Sequence, residues 1–163
     1  MAKLITMRVV SIKQPFAYLL AKGFKLNETR SFNTNYRGEI YIHASQKVDF
    51  HDLELININD HFKRCISDRS LLVQGAIIGK FTITDSVATE RFITNYKEAS
   101  NSKDKLWLSP QERAFGNYLP NRFAWIGKDH KMLSNPIKCR GQLGIWRYEA
   151  PEELLEEMEV QHG

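Results

Sequence analysis

Between residues 10 and 30 the chain reads VSIKQPFAYLLAKGFKLNETR: a β-branched run, a Gln-Pro turn, a short apolar helix and a glycine stop, with no spacer between them. Few folds accommodate that order. It makes the chain leave a strand, bury a helix and emerge at once in ionisable residues. Pro15 suits the first helical position, where a missing N–H costs no hydrogen bond. Phe16, Leu19 and Leu20 fall at i, i+3 and i+4 and give the helix a buried face. Gly23 is placed to cap it in the left-handed conformation. Lys25, Glu28 and Arg30 follow directly. Apolar scaffold that ends in charge is how a fold commonly presents a binding or catalytic site, and the rest of the chain is expected to be the barrel and cover that hold it.

In chain order, residues 7–12 predict a first strand. Residues 39–44 alternate, with Ile40 and Ile42 on one face and Tyr41 and His43 on the other, which predicts a strand with one wall in the core. Residues 48–69 predict helix, interrupted at 57–60, with Phe50, Leu53 and Ile56 facing inward. Residues 71–84 form a long β run in which Gly75 and Gly79 mark bulges or close approaches. Residues 90–121 are a polar excursion with a short helix near Ser109-Pro110-Gln111-Glu112. Residues 123–126 resume as strand, Asn135-Pro136 predicts a turn, and residues 137–148 predict a final strand. Pro151 opens a terminal acidic helix, about 151–159, whose Glu152 and Glu153 favour its dipole and whose Leu154, Leu155 and Met158 dock it. No repeat or linker divides the chain. The expectation is one domain over residues 1–163, with its core at about 7–148: an α+β fold on a small curved sheet or barrel.

The 163 residues are enough to bury a core without disulfides or metals, and 42% hydrophobic with 26% charged residues is globular rather than disordered composition. Cys65 and Cys139 form no CxxC motif, as expected of a reduced, cytoplasmic protein. No secretory signal and no apolar run of bilayer length is read, so no membrane partner is expected. All six acids of residues 148–163 lie in a stretch without Lys or Arg. Residues 1–147 therefore carry 23 basic residues against 13 acids, a balance of +10. That excess suits a polyanionic partner, although a solvated surface of scattered lysines reads the same way.

Several motifs fail on inspection. GAIIGK at residues 75–80 is one residue short of a phosphate loop and has Phe81 where a Ser or Thr would hold magnesium. His61 and Cys65 share a helical spacing but have no second ligand pair, so no metal site and no cofactor is predicted. No nucleophile elbow is present. His43 and Ser45 would share a strand face, either as hydrogen-bonding groups of a site wall or as the polar outside of a half-buried strand. Strand parity points Glu28 and Arg30 to the same side, and Lys25 joins them only if it sits in the turn after Gly23. Such a trio can anchor a ligand through Glu28, supply a proton-transfer lysine, or be an internal ion pair that fixes Arg30.

At this segment the sequence resembles the ASCH (activating-signal-cointegrator homology) domain. The resemblance rests on Ser11-Ile12-Lys13-Gln14-Pro15-Phe16-Ala17, then Gly23 to Phe32 with Lys25, Glu28 and Arg30, then Tyr36-Arg37-Gly38 through His43-Ala44-Ser45. Residues 75–79, 123–125 and 136–146 are similar to the family's later strands. The resemblance implies a PUA-like fold, a small β-barrel with flanking helices and a cleft between the first helix and the barrel. It also implies an RNA, nucleotide or nucleoside ligand. Lys25 and Glu28 would be the catalytic candidates. Lys13, Gln14, Thr29, Arg30, Arg37, His43 and Ser45 would bind the ligand, and Tyr41 or Trp125 would stack a base. Some members are hydrolases, one branch acting on acetylated cytidine through a Thr, a Lys and a Glu and another acting on RNA. Lys25 matches that lysine, but Glu28 stands in the threonine's place with Thr29 beside it. If the chain is an enzyme, a metal-independent hydrolase is expected. The acidic C-terminal helix is a candidate surface for a basic protein partner.

Overall fold

The computed structural model describes residues 3–155. β1 (Leu4–Ile12) leads into α1 (Phe16–Lys22), β2 (Glu28–Arg30) and β3 (Gly38–Ala44). After α2 (Phe50–Ile58) and α3 (Asp60–Cys65) comes the long β4 (Ala76–Ala88). β5 (Phe92–Ile93), α4 (Tyr96–Ser100), β6 (Leu106–Trp107) and α5 (Pro110–Phe115) make up the excursion. β7 (Phe123–Lys138) and β8 (Ile145–Pro151) complete the sheet.

The six main strands run β2-β7-β4-β3-β1-β8. β1 and β3 pair in parallel and every other neighbour is antiparallel. β4 and β7 change register three times along their length, and bulges of this kind coil a sheet. The result is a half-barrel within an α+β fold, open between β2 and β8.

α1 is buried on both sides. Ala17, Leu20 and Ala21 enter the half-barrel against Val10, Ile42, Ile78 and Phe81. Tyr18 and Leu19 face the helical cover of Ile56, Phe62, Ile66 and Phe115. The helix lies so close to the sheet that a Cβ on Gly79 would stand 2.5 Å from Ala21 Cβ and 2.7 Å from the Lys131 carbonyl. Gly23 ends α1 at φ +81°, and its N–H donates to the Leu20 carbonyl, as its placement predicts. The excursion between β4 and β7 is tied at its neck. Thr89 N–H donates to the Arg122 carbonyl at 3.0 Å, and Thr89 Oγ1–H donates to the Leu119 carbonyl at 2.7 Å.

Several details differ from expectation. β3 is covered on both faces: Ile40 and Ile42 in the half-barrel, Tyr41 in a second core with Met7, Val9, Ile137 and Trp146. Alternation of residue type thus separates two cores here, not core from solvent. Phe50 is 82% exposed; Ile56, with Leu53 and Leu55 packed around it, carries the inner side of α2. The break near residues 57–60 is real and falls at Asn59, whose side chain caps α3 by accepting from His61 N–H. Asn135-Pro136 lies within β7, at one of its register shifts. Residues 139–144 form a loop, so the last strand starts at Ile145 and runs through Pro151. Leu154 and Leu155 pack on the second core, and Met158 lies outside the described residues.

Because Ala21 and the Lys131 backbone both abut Gly79, Gly79→Val should destabilise the fold by about 1–3 kcal/mol through overpacking. Urea denaturation of the two proteins measures it; equal midpoints would refute the close packing.

Candidate functional site

Below α1, a cleft of about 1090 Å³ opens between β2, the ends of β1 and β3, the chain after α5 and the 139–144 loop. Its floor is built by the segment that follows Gly23. Lys25 N–H donates to the Leu19 carbonyl at 3.0 Å, which folds the chain back under α1 and turns Lys25 into the cleft. β2 then pairs with β7, Glu28 opposite Trp125 and Arg30 opposite Phe123. Strand parity holds, and Glu28 Oε2 accepts from Arg30 Nε at 2.9 Å. Lys25 Nζ stands 3.9 Å from Glu28 Oε1, an ion contact longer than a hydrogen bond. Arg30 is anchored a second time through Nη2 to the Ser11 carbonyl at 2.8 Å.

Lys25 is 1% exposed. Its pKa is pushed below 10.5 by burial; Glu28 and Glu112 oppose the shift, and Arg30 adds to it. Glu112, also buried, accepts from Leu26 N–H and from the Tyr118 hydroxyl at 3.2 Å. Burial, and then the Glu112 carboxylate, push the Tyr118 phenol far above 10.0. A buried carboxylate needs such partners, since desolvation without them costs several kcal/mol, on the order of an unpaired ion.

The opposite wall is a hydrogen-bond chain. The Cys139 carbonyl can only accept, so His43 Nε2 carries the proton donated to it at 2.8 Å. Ser11 Oγ lies 3.3 Å from His43 Nδ1 and accepts from Trp146 Nε1 at 3.1 Å. The 139–144 loop is thereby clipped to the half-barrel. Gly141 lies against the pair so closely that a Cβ would meet the His43 ring at 2.7 Å.

Of the residues singled out from the sequence, Lys13, Lys25, Glu28, Thr29, Arg30, His43 and Ser45 all line this cleft. Four do not. Gln14 is fully buried and braces α1, donating from Nε2 to the Val73 carbonyl at 2.8 Å and accepting from Tyr18 N–H at 2.9 Å. Arg37 turns to the Thr34 and Tyr36 carbonyls and to Asp85. Tyr41 is in the second core, and Trp125 is fully buried beneath Phe32 and the Arg30 guanidinium. Neither ring can stack a base.

Sequence reasoning missed Ser11, Lys47, Asp52, Asn117, Arg122 and Arg140, which also line the cleft. Asp52 is pushed up in pKa by burial and by Asp49, and Lys13 beside it pulls it back. Glu112 did have a signal: Ser109-Pro110-Gln111-Glu112 is a capping-box pattern. Ser109 Oγ accepts from Glu112 N–H at 3.1 Å, but the carboxylate reaches Leu26 in place of the cap. Among the described residues no group of three or more His, Cys, Asp or Glu side chains is placed to hold a metal ion. No helix among them is long and apolar enough to cross a membrane.

The ASCH domain matches residues 10–137, most of the chain. This chain belongs to the ASCH domain family. The cleft of this ASCH domain is therefore built largely by family-matched segments, while Cys139 to Gly144 lie beyond the match. Among solved structures the chain is similar to ASCH from Zymomonas mobilis, at 16% identity over 94% of each chain with a TM-score of 0.48. A single-residue variant of that protein matches at 15% identity over 95% of each chain, with a TM-score of 0.47. No curated protein matches.

The burial of Lys25 has a signed consequence. Its folded pKa lies below the ordinary 10.5, so between those two values the unfolded chain binds more protons and stability rises with pH. In urea titrations from neutral to alkaline pH, the wild type should gain stability relative to Lys25→Met. A flat or falling difference would contradict the assignment.

Proposed function

We propose that this ASCH domain binds a phosphate-bearing nucleotide, free or as a unit of RNA, in the cleft under α1. One observation carries the reading. Six basic side chains (Lys13, Lys25, Arg30, Lys47, Arg122 and Arg140) line the cleft against two carboxylates, Glu28 and Asp52. Lys25 and Arg30 are committed to Glu28 on the floor. Lys47 and Arg140, exposed at the rim, are suited to phosphate. Arg122 donates from Nε to the Asn117 carbonyl and from Nη2 to the Thr29 carbonyl, and its guanidinium has five N–H donors in all. Glu28, set between Lys25 and Arg30, would accept from a base or ribose donor, with phosphate contacts setting position and base contacts setting choice. The volume suits a ligand of nucleotide size.

Fluorescence anisotropy with a labelled oligouridylate tests this. Arg122→Ala and Arg140→Ala should each weaken binding and reduce the salt slope by about 0.7, one single-strand phosphate contact. Arg37→Ala, outside the cleft, should bind as the wild type does. Three indistinguishable variants would overturn the reading.

A second reading is favoured by Lys25 itself. A lysine whose pKa burial lowers, at the bottom of a cleft and beside a carboxylate, has the properties of a proton-transfer group. The domain would then hydrolyse a modified nucleoside or RNA, with Lys25 deprotonating the attacking water or hydroxyl and Glu28 orienting it. Turnover of acetylated cytidine or single-stranded RNA should rise with pH through the lowered Lys25 pKa and vanish in Lys25→Ala. Absence of product from both substrates would eliminate it.

A further inference from the structure

The cleft does not end at its own rim. Ala114 of α5 lines it on one side and a second cavity, of about 430 Å³, on the other. That second cavity is bounded by Asn59, His61, Thr94, Leu108, Pro110 and Arg113 as well, with no carboxylate among them. One of its wall residues meets an aromatic pair. The carbonyl of Thr94, a wall residue, accepts from Trp107 Nε1 at 3.3 Å, which fixes the indole. Tyr96 packs on that indole edge-to-face at a centroid distance of 5.1 Å. Both rings remain open to solvent, Tyr96 63% and Trp107 45% exposed, although the chain's other two tryptophans are buried. Two aromatics held rigid but uncovered suit base stacking, which is tolerant of sequence. Charges of both signs lie near the pair in sequence: Lys97 and Glu98 follow Tyr96, and Asp104 and Lys105 precede Trp107, while Arg113 stands on the cavity wall.

We propose that single-stranded RNA seated in the cleft continues over Ala114 and along the second cavity, and stacks a base on the Tyr96–Trp107 pair. The ligand is then an RNA segment, not a mononucleotide. The inference rests on the cleft reading above and extends it. The excursion supplies every part of the added track except Asn59 and His61. His61 accepts at Nδ1 from Arg64 Nη2 at 2.7 Å, which places a further guanidinium beside the cavity wall.

Titrating the full chain with uridine monophosphate and with oligouridylates of increasing length, by calorimetry and by tryptophan emission, tests the track. Affinity should rise with length, and emission should be quenched by the longer strands alone. Trp107→Ala should lose about tenfold for a long strand, Trp107→Phe much less, and neither should change mononucleotide binding. Arg113→Ala, an exposed substitution that does not threaten the fold, should weaken long strands selectively. Long strands that bind no tighter than the mononucleotide would overturn the track and leave the cleft standing. So would a long-strand affinity unchanged in both Trp107→Ala and Arg113→Ala. A wild-type chain that binds neither ligand would remove the cleft reading and the track together.

Discussion

The burial of α1 on both faces is the constraint from which the site follows. A seven-residue helix has little stability of its own and is held by tertiary packing. Here it is pressed between the half-barrel and the helical cover, near enough to the sheet that only hydrogen fits at Gly79. The helix has no room to shift, so the turn at Gly23 delivers the following residues to a fixed place. Lys25 is held under α1 by its own backbone bond to Leu19, and its side chain lines the cleft.

What that placement creates is a charge group in a poorly solvated position. Lys25, Glu28 and Arg30 are neighbours in sequence, but Glu112 and Tyr118 arrive from the far end of the excursion and close the group from behind. Burying one such charge alone would be strongly unfavourable; here the signs are mixed, Glu28 is hydrogen-bonded to Arg30, and Glu112 accepts from Leu26 N–H and Tyr118. The floor of the cleft is thus buried, while Lys47 and Arg140 at the rim are exposed.

Local chemistry was legible in the sequence wherever a short-range rule decided the outcome. The Gly23 cap, the parity of Glu28 and Arg30, the Asn59 break and the short helix near Ser109 all depend on neighbours a few residues away. What stayed hidden depends on which layers meet. Alternation in β3 says that its faces differ, not that both are covered, and the resemblance that made Tyr41 a stacking candidate carries no information on its burial. Trp125 and Gln14 look like binding groups in sequence, yet one fills the half-barrel and the other hydrogen-bonds across to Val73. The 139–144 loop reads as strand because its glycines and Leu143 sit beside a genuine β segment. Only the clip between His43 and the Cys139 carbonyl reveals it as cleft wall. Glu112 joins Leu26 across a long stretch of chain, a distance over which no periodicity speaks.

The Thr89 neck has a consequence of its own. With its ends held together by hydrogen bonds to residues 119 and 122, the excursion returns to the sheet at a spacing that does not depend on what lies between. Loop closure grows costly only slowly with length. The neck fixes where the excursion leaves and rejoins the sheet, while α5 carries Phe115 into the cover of α1. The excursion bears Glu112 behind the floor, Asn117 on the wall and the exposed indole of Trp107. Resizing the stretch between the neck and α5 would alter the outer surface of the excursion while leaving Glu112 and Phe115 in place.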